Sequence, residues 1–203
     1  NNAWRIIRNT LLYNLAFIFA GIVVGVTVAI FLNEIRQKRA LKVYQTGILL
    51  PYLMSMVIVS YLAYVFLSPN TGVVNGLLRR LGSSGVNWYS EPKYWPFLLV
   101  FIQLWKNLGF NMILYYSSII SFSQDYYEAA ELDGATKWQQ IRNITIPLLK
   151  PTMITLMILQ LGQVFRSDFG LFYQVPMNQG ALYSTTQTID TYVYRGLLQL
   201  GNI

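Results

Sequence analysis

The residues able to do chemistry fall into two groups, and neither is a catalytic set. In the first, Glu128, Ala129, Ala130, Asp133, Gly134 and Ala135 place carboxylates around a patch of very small side chains. Such an arrangement suits a compact knob seated in a partner's groove, a protein contact rather than a reaction. The second group is Asn107, Asn111, Tyr115, Gln160 and Gln163, neutral amides and a phenol set within apolar stretches. Neutral amides and a phenol offer hydrogen bonds without charge to an uncharged polar ligand; each can equally bridge two helices. The chain has no His and no Cys, no glycine-lysine loop to cradle a phosphate, and no cluster of carboxylates inside its apolar blocks. No catalytic residue, metal site or cofactor is therefore expected.

The elements that must position these groups are read from the apolar blocks. Of 203 residues, 54% are hydrophobic and 11% charged, against about 25% charged in an ordinary soluble domain. The apolar residues run in long blocks rather than in the alternating patterns of a soluble core, which points to a lipid bilayer. The net charge of +7 comes from cations at the block ends. No basic face with interleaved aromatics forms, so no nucleic-acid partner is expected.

A helix needs about 20 apolar residues to cross the hydrocarbon layer, because its backbone must satisfy its own hydrogen bonds there. Spans are expected at 11–32, 43–67, 95–120 and 148–166. In the first, Gly21, Gly25 and Ala29 share one face and let another helix approach closely. Pro51 is expected to bend the second. The third carries Gln103, Lys106, Asn107 and Asn111, which should face the bundle interior or a wet cavity. Residues 68–94 are a turn-rich connector around a short apolar piece, 73–81, that cannot span. In the fourth, Gln160, Gln163 and Arg166 follow one helical face. The polar and aromatic segment 167–203 adds no span.

Between the third and fourth spans, 123–147 reads as two short helices. The first, from Asp125 to Asp133, carries Asp125 and Glu128 where the helix dipole favours negative charge, and Gly134 ends it in a left-handed conformation. Thr136 and Gln139 form a capping box for the second. Trp138, Ile141, Ile144 and Thr145 then make an apolar face that rests on the bundle, and Pro147 stops the helix. From these features alone the segment is either a docking knob or a loop packed on the membrane surface.

Glu128-Ala129-Ala130, Asp133-Gly134-Ala135, Trp138-Gln139, Ile146-Pro147 and Pro151, with glycine and prolines at matching distances, resemble the EAA loop of type I ABC importer permeases. Asn9-Thr10-Leu11, Gly72 with Asn75, Trp105 with Gly109 and Phe110, and Ile189 to Arg195 look like carbohydrate-uptake permeases, in particular those for oligosaccharides or polysaccharide fragments. Ser123 departs from the proline that many relatives place before the loop, which leaves the start of the first short helix open.

The resemblance implies an all-α, MetI-like helix bundle in the cell membrane, with Glu128 to Gly134 as a coupling helix in a cleft of an ATPase, where Glu128 meets a basic residue. It implies 33–42 and 123–147 inside and 68–94 and 167–203 outside, in agreement with Arg36, Lys38, Arg39, Lys42, Lys137, Arg142 and Lys150 in the inner loops. It further implies a piece of a longer protein, with one span before Asn1 and one after Ile203. The expected partners are cytoplasmic ATP-binding subunits, a second permease subunit, an extracellular solute-binding protein and an oligosaccharide. Tyr173, Asn178 and Tyr183 on the outer side are placed to meet the binding protein. Rival readings are a same-fold importer for a non-sugar substrate such as peptides, and a membrane-embedded scaffold or enzyme.

Overall fold

The structure is a computed structural model that describes residues 2–200; the end of the expected outer segment, 201–203, lies outside the described residues. The described chain is helical, without a strand. Three helices are long and apolar enough to cross a membrane, and a broken helix pair makes a fourth if counted as one span.

Helix α1 is Asn2–Asn33, nine residues longer at its start than the apolar block, because Arg5 and Arg8 extend it as polar turns. The expected span 43–67 is two helices, α2 (Lys38–Leu53) and α3 (Met56–Leu67). Pro51 sits inside α2 and the helix gives way three residues later. Ser55, in extended conformation, then restarts it as an N-cap, accepting a hydrogen bond from the Ile58 N–H at 3.4 Å. Helix α4 (Val73–Arg80) is the short piece too brief to span, and α5 is Trp95–Ile120, as the block predicted.

Next come α6 (Asp125–Leu132) and α7 (Lys137–Gln140), a π-helical turn over Ile141–Thr145, and α8 (Ile146–Leu161). Here the expectation that Pro147 stops a helix fails. The π turn widens the ladder, with the Ile146 N–H reaching the Ile141 carbonyl, so the proline ring is accommodated and helix continues from Lys137 to Leu161. The expected end at 166 is also corrected. Gly162 closes α8, so Gln163 and Arg166 lie beyond the helix. The Asn14 amide donates to the freed carbonyls of Val164 and Arg166 at 2.9 and 3.3 Å. Short helices α9 (Tyr183–Thr186) and α10 (Ile189–Leu200) follow.

The chain forms two compact units. The first comprises Asn1–Phe17, Met54–Gln103 and Gln163–Ile203. Its core holds Trp95, Leu99, Phe172 and Leu182, all fully buried. The Trp95 indole N–H donates to the Trp88 carbonyl at 2.7 Å, so this large ring is buried at no polar cost. Asn75, 1% exposed, organises the connector. Its Nδ2 donates to the carbonyls of Pro69 (3.0 Å) and Val86 (2.7 Å), and its Oδ1 accepts from Val86 N–H and Trp88 Nε1, each at 3.0 Å. Glycine is required at 72, where a Cβ would fall 2.4 Å from the Ser68 carbonyl oxygen.

The second unit comprises Ile18–Leu53 and Leu104–Gly162. The face carrying Gly21 and Gly25 admits α5: a Cβ on Gly25 would lie 3.1 Å from the Tyr115 ring, and one on Gly21 3.5 Å from the Asn111 amide. Gly109 brings α5 against α2. One turn earlier, the Lys106 ammonium donates to the Tyr52 carbonyl at 3.2 Å and lies 5.8 Å from the Tyr52 ring centre.

Candidate functional site

The segment after α5 is built by local chemistry. The Ser123 hydroxyl donates to the Asp125 carboxylate at 3.0 Å and accepts from the Asp125 N–H at 3.3 Å. Serine thus opens α6 in place of a proline. At the other end Gly134 has φ +79°. The Ala135 N–H reaches back to the Ala130 carbonyl and the Gly134 N–H to that of Glu131, at 2.9 and 3.0 Å. This pair of bonds is a Schellman cap, which consumes the last carbonyls of the helix and reverses the chain. Thr136 then starts α7 through the predicted capping box, with its N–H on Gln139 Oε1 at 2.7 Å and its hydroxyl accepting from the Gln139 N–H at 3.4 Å.

Two caps back to back make a rigid corner at Asp133–Thr136. Glu128, Ala129, Asp133 and Gly134 are exposed on it and Ala130 and Ala135 half-buried, so all six residues singled out in the sequence share one projecting knob. Leu132 at its tip is 89% exposed, a large apolar side chain that a partner's groove would cover.

The corner is anchored from behind. The Tyr127 and Thr145 hydroxyls share a hydrogen bond of 3.0 Å, and Gln140, buried, accepts from Lys137 Nζ at 3.3 Å. One sequence expectation is corrected here: Trp138 does not belong to the packed face but is 67% exposed. The rest of the expected face is packed, with Thr145 buried and Ile141 and Ile144 half-buried, and Gln140 takes the buried place in the first turn that Trp138 was expected to fill.

The second predicted group is divided. Asn107, Asn111 and Tyr115 follow at four-residue spacing along α5 in the second unit, and Tyr115 is 1% exposed against Gly25. Gln160 lies in the last turn of α8 in the same unit, whereas Gln163 belongs to the first.

In the first unit the structure brings together Tyr173, Asn178 and Tyr183 around Arg195. The guanidinium Nε donates to Asn178 Oδ1 at 2.8 Å, and the charge lies 3.9 Å from the Tyr183 ring centre and 5.8 Å from that of Tyr173. The two Nη atoms are buried without a hydrogen-bond partner among the described residues, and burial lowers the pKa of this arginine below its ordinary value. Met177 and Asn178 both take left-handed backbone, φ 51° and 50°, which costs about 1–3 kcal/mol per residue and is held only by surrounding contacts. The Tyr183 hydroxyl supplies one, donating to Asn178 Oδ1 at 3.0 Å.

Sequence reasoning also missed how the start of the chain is tied to this tail. The Asn9 amide donates to the carbonyls of Ser184 and Gln187, each at 3.2 Å, and the Thr10 hydroxyl accepts from the Ile189 N–H at 3.1 Å. Both strings carried the resemblance, but no spacing could join residues about 180 positions apart.

Comparison with known proteins bears on the whole of this layout. The family described as binding-protein-dependent transport system inner membrane component matches residues 21–177, an interval that contains the capped knob. This chain belongs to that family. The inner-membrane component is 32% identical to protein LplB of Bacillus subtilis over 94% of this chain and 59% of that protein. It is 31% identical to the polygalacturonan/rhamnogalacturonan transport system permease protein YteP of the same organism, over 97% of this chain and 60% of that one. It therefore spans about three fifths of the length of these curated relatives. Among solved structures, it is similar to a chain of a bacterial ABC transporter involved in the import of the acidic polysaccharide alginate, with a TM-score of 0.93 and 35% identity over 100% of this chain and 70% of that one. A second structure of a bacterial alginate ABC transporter, in complex with an alginate pentasaccharide-bound periplasmic protein, gives 0.91 and 36% over 97% and 68%.

Proposed function

We propose that this chain is the membrane-spanning permease part of an ABC importer that moves an oligosaccharide delivered by an external binding protein. A separate ATPase drives it by gripping Glu128 to Ala135. The observation that carries the reading is the projecting corner itself, whose acidic and small side chains and exposed Leu132 stand on a turn stiffened by a Schellman cap and a capping box. A flexible loop would absorb a push; a doubly capped corner continuous with α8 through Lys137–Leu161 transmits it. Nothing in this chain hydrolyses ATP, and that step belongs to the partner.

On this reading a second permease subunit completes the pathway, and Asn107, Asn111, Tyr115, Gln160 and Gln163 are its polar groups in this chain, with Tyr115 acting through helix packing. Tyr173, Asn178 and Tyr183 meet the binding protein on the outer side. Support for a sugar comes from the relatives, whose names include polygalacturonan/rhamnogalacturonan and lactose permeases and an alginate transporter.

The test exploits the open space around Gly134, where a Cβ would meet nothing within 4 Å in this chain. Gly134→Asn keeps a residue tolerant of left-handed backbone, and Gly134→Trp adds bulk. Co-purification with the ATPase and sugar-stimulated ATP turnover are measured for each. Docking at the knob predicts loss of both with Trp, at unchanged membrane level of the chain, and partial retention with Asn. Normal assembly of the Trp variant would defeat the docking reading. Uptake of labelled oligosaccharide into proteoliposomes separately tests the substrate.

A further inference from the structure

We infer that a polar cavity beside the docking segment binds the phosphate of an anionic phospholipid headgroup. The cavity holds about 230 Å³ and is formed within the second unit by the end of α1 and the turn after it, the end of α5, and α6 through the π turn. Two cations line it, Arg36 and Lys137, with one carboxylate, Glu34. No carboxylate lies within ion-pair distance of either cation among the described residues. Lys137 spends one donor on the Gln140 amide oxygen and keeps two; Arg36 presents a planar fork suited to phosphate oxygens. Two cations against one carboxylate leave a net positive charge, which asks for a compact anion. Glu34 is placed to accept from a headgroup hydroxyl while the cations hold the phosphate.

The depth of the cavity favours a lipid over a soluble phosphate ester. Asn33 and Ile120 are the last residues of α1 and α5, both candidate spans, so the cavity mouth stands where hydrocarbon gives way to headgroups. Its apolar lining comes from Ile30 and Ile119 in the final turns of those helices. Their chain neighbours Phe31 and Ile120 are 69% and 57% exposed, apolar surface along which acyl chains can run. Basic pockets at membrane-span ends are the setting in which lipid phosphates are recognised.

The consequence is mechanical. Arg36 follows α1, Lys137 opens α7, and Tyr127 of α6 also lines the cavity. A bound phosphate would cross-link the end of a span to the base of the knob and stiffen the route by which force passes. This consequence rests on the proposed docking of an ATPase; the lipid site does not.

The experiment uses the assembled transporter in phosphatidylcholine vesicles with or without phosphatidylglycerol, reading retained phosphatidylglycerol by mass spectrometry and substrate-coupled ATP turnover. Arg36→Gln with Lys137→Gln should weaken phosphatidylglycerol retention about thirtyfold, given roughly 1 kcal/mol per headgroup-facing cation. Arg39→Gln with Lys42→Gln, which removes the same charge from residues that do not line the cavity, should leave retention within twofold. Equal loss in both pairs would reduce the effect to general surface charge and overturn the site. Displacement of the lipid by millimolar glycerol 3-phosphate would assign the cavity to a soluble phosphate ester and overturn the lipid assignment. Weakened retention with no effect on turnover would leave the site standing and count against the mechanical link alone, whereas retention unchanged in the Arg36 and Lys137 pair would overturn the site.

Discussion

Gly109→Ala tests the packing on which the second unit depends. An ideal Cβ at 109 falls 2.5 Å from Leu49 Cα and 2.6 Å from the Ile48 carbonyl oxygen, where carbon contacts normally settle at about 3.5–4.0 Å. Both obstacles are backbone of α2, so no side-chain rotation relieves them, and α2 and α5 must part by about 1 Å or more locally. Overpacking of this kind costs about 1–3 kcal/mol, with the upper end expected for a backbone-to-backbone clash. Separation would also lengthen the Lys106 bond to the Tyr52 carbonyl (3.2 Å) and loosen the parallel stacking of Tyr52 on Phe110, whose centroids lie 5.1 Å apart. For a chain of this size about 2–4 °C of Tm follows each kcal/mol, so purified protein in detergent should melt roughly 5–10 °C lower. Gly47→Ala on α2 is the control, since a Cβ there meets nothing within 4 Å and removing an interior helical glycine gains about 0.5–1 kcal/mol. The reasoning is refuted if the two variants melt within a degree or two of one another.

Three other perturbations have definite outcomes. Asn75→Leu strands the Val86 N–H and the Trp88 indole N–H in a buried site, at about 1–3 kcal/mol for each unsatisfied group; hydrogen exchange in the connector should quicken, and unchanged protection there would contradict the hub. Thr136→Ala removes the hydroxyl of the capping box for about 0.5–2 kcal/mol. Proteolysis at the knob should become faster while the melting of the bundle moves little; an unaltered cleavage rate would show that the corner is not stiffened by this cap. Arg195→Lys loses the planar contact with the Tyr183 ring and the Nε bond to Asn178, about 1–2 kcal/mol for a desolvated cation-π pair. Exchange should rise over Tyr173–Tyr183, and full stability of the lysine variant would mean that charge alone suffices there.

What this sequence determines by itself is what short-range forces decide. The limits of Trp95–Ile120 follow from an apolar block that must satisfy its own backbone, and the knob follows from Gly134, Thr136 and Gln139, whose capping bonds span only a few residues. The close approach promised by Gly21 and Gly25 was legible too, though not that Tyr115 would fill it. Errors arose where a local rule met a distant or geometric condition. Pro147 reads as a stop, yet a π turn absorbs it, and Trp138, assigned to the packed face, is exposed. The second block reads as one kinked span, but Ser55 caps a new helix within it. Only the tertiary structure placed Asn9 and Thr10 against the tail, enclosed Arg195 between tyrosine rings, and opened a cavity among Glu34, Arg36 and Lys137. Periodicity and capping report on neighbours within a turn or two of helix. Charges and amides from segments about a hundred residues apart acquire their meaning only when packing brings them within hydrogen-bonding reach.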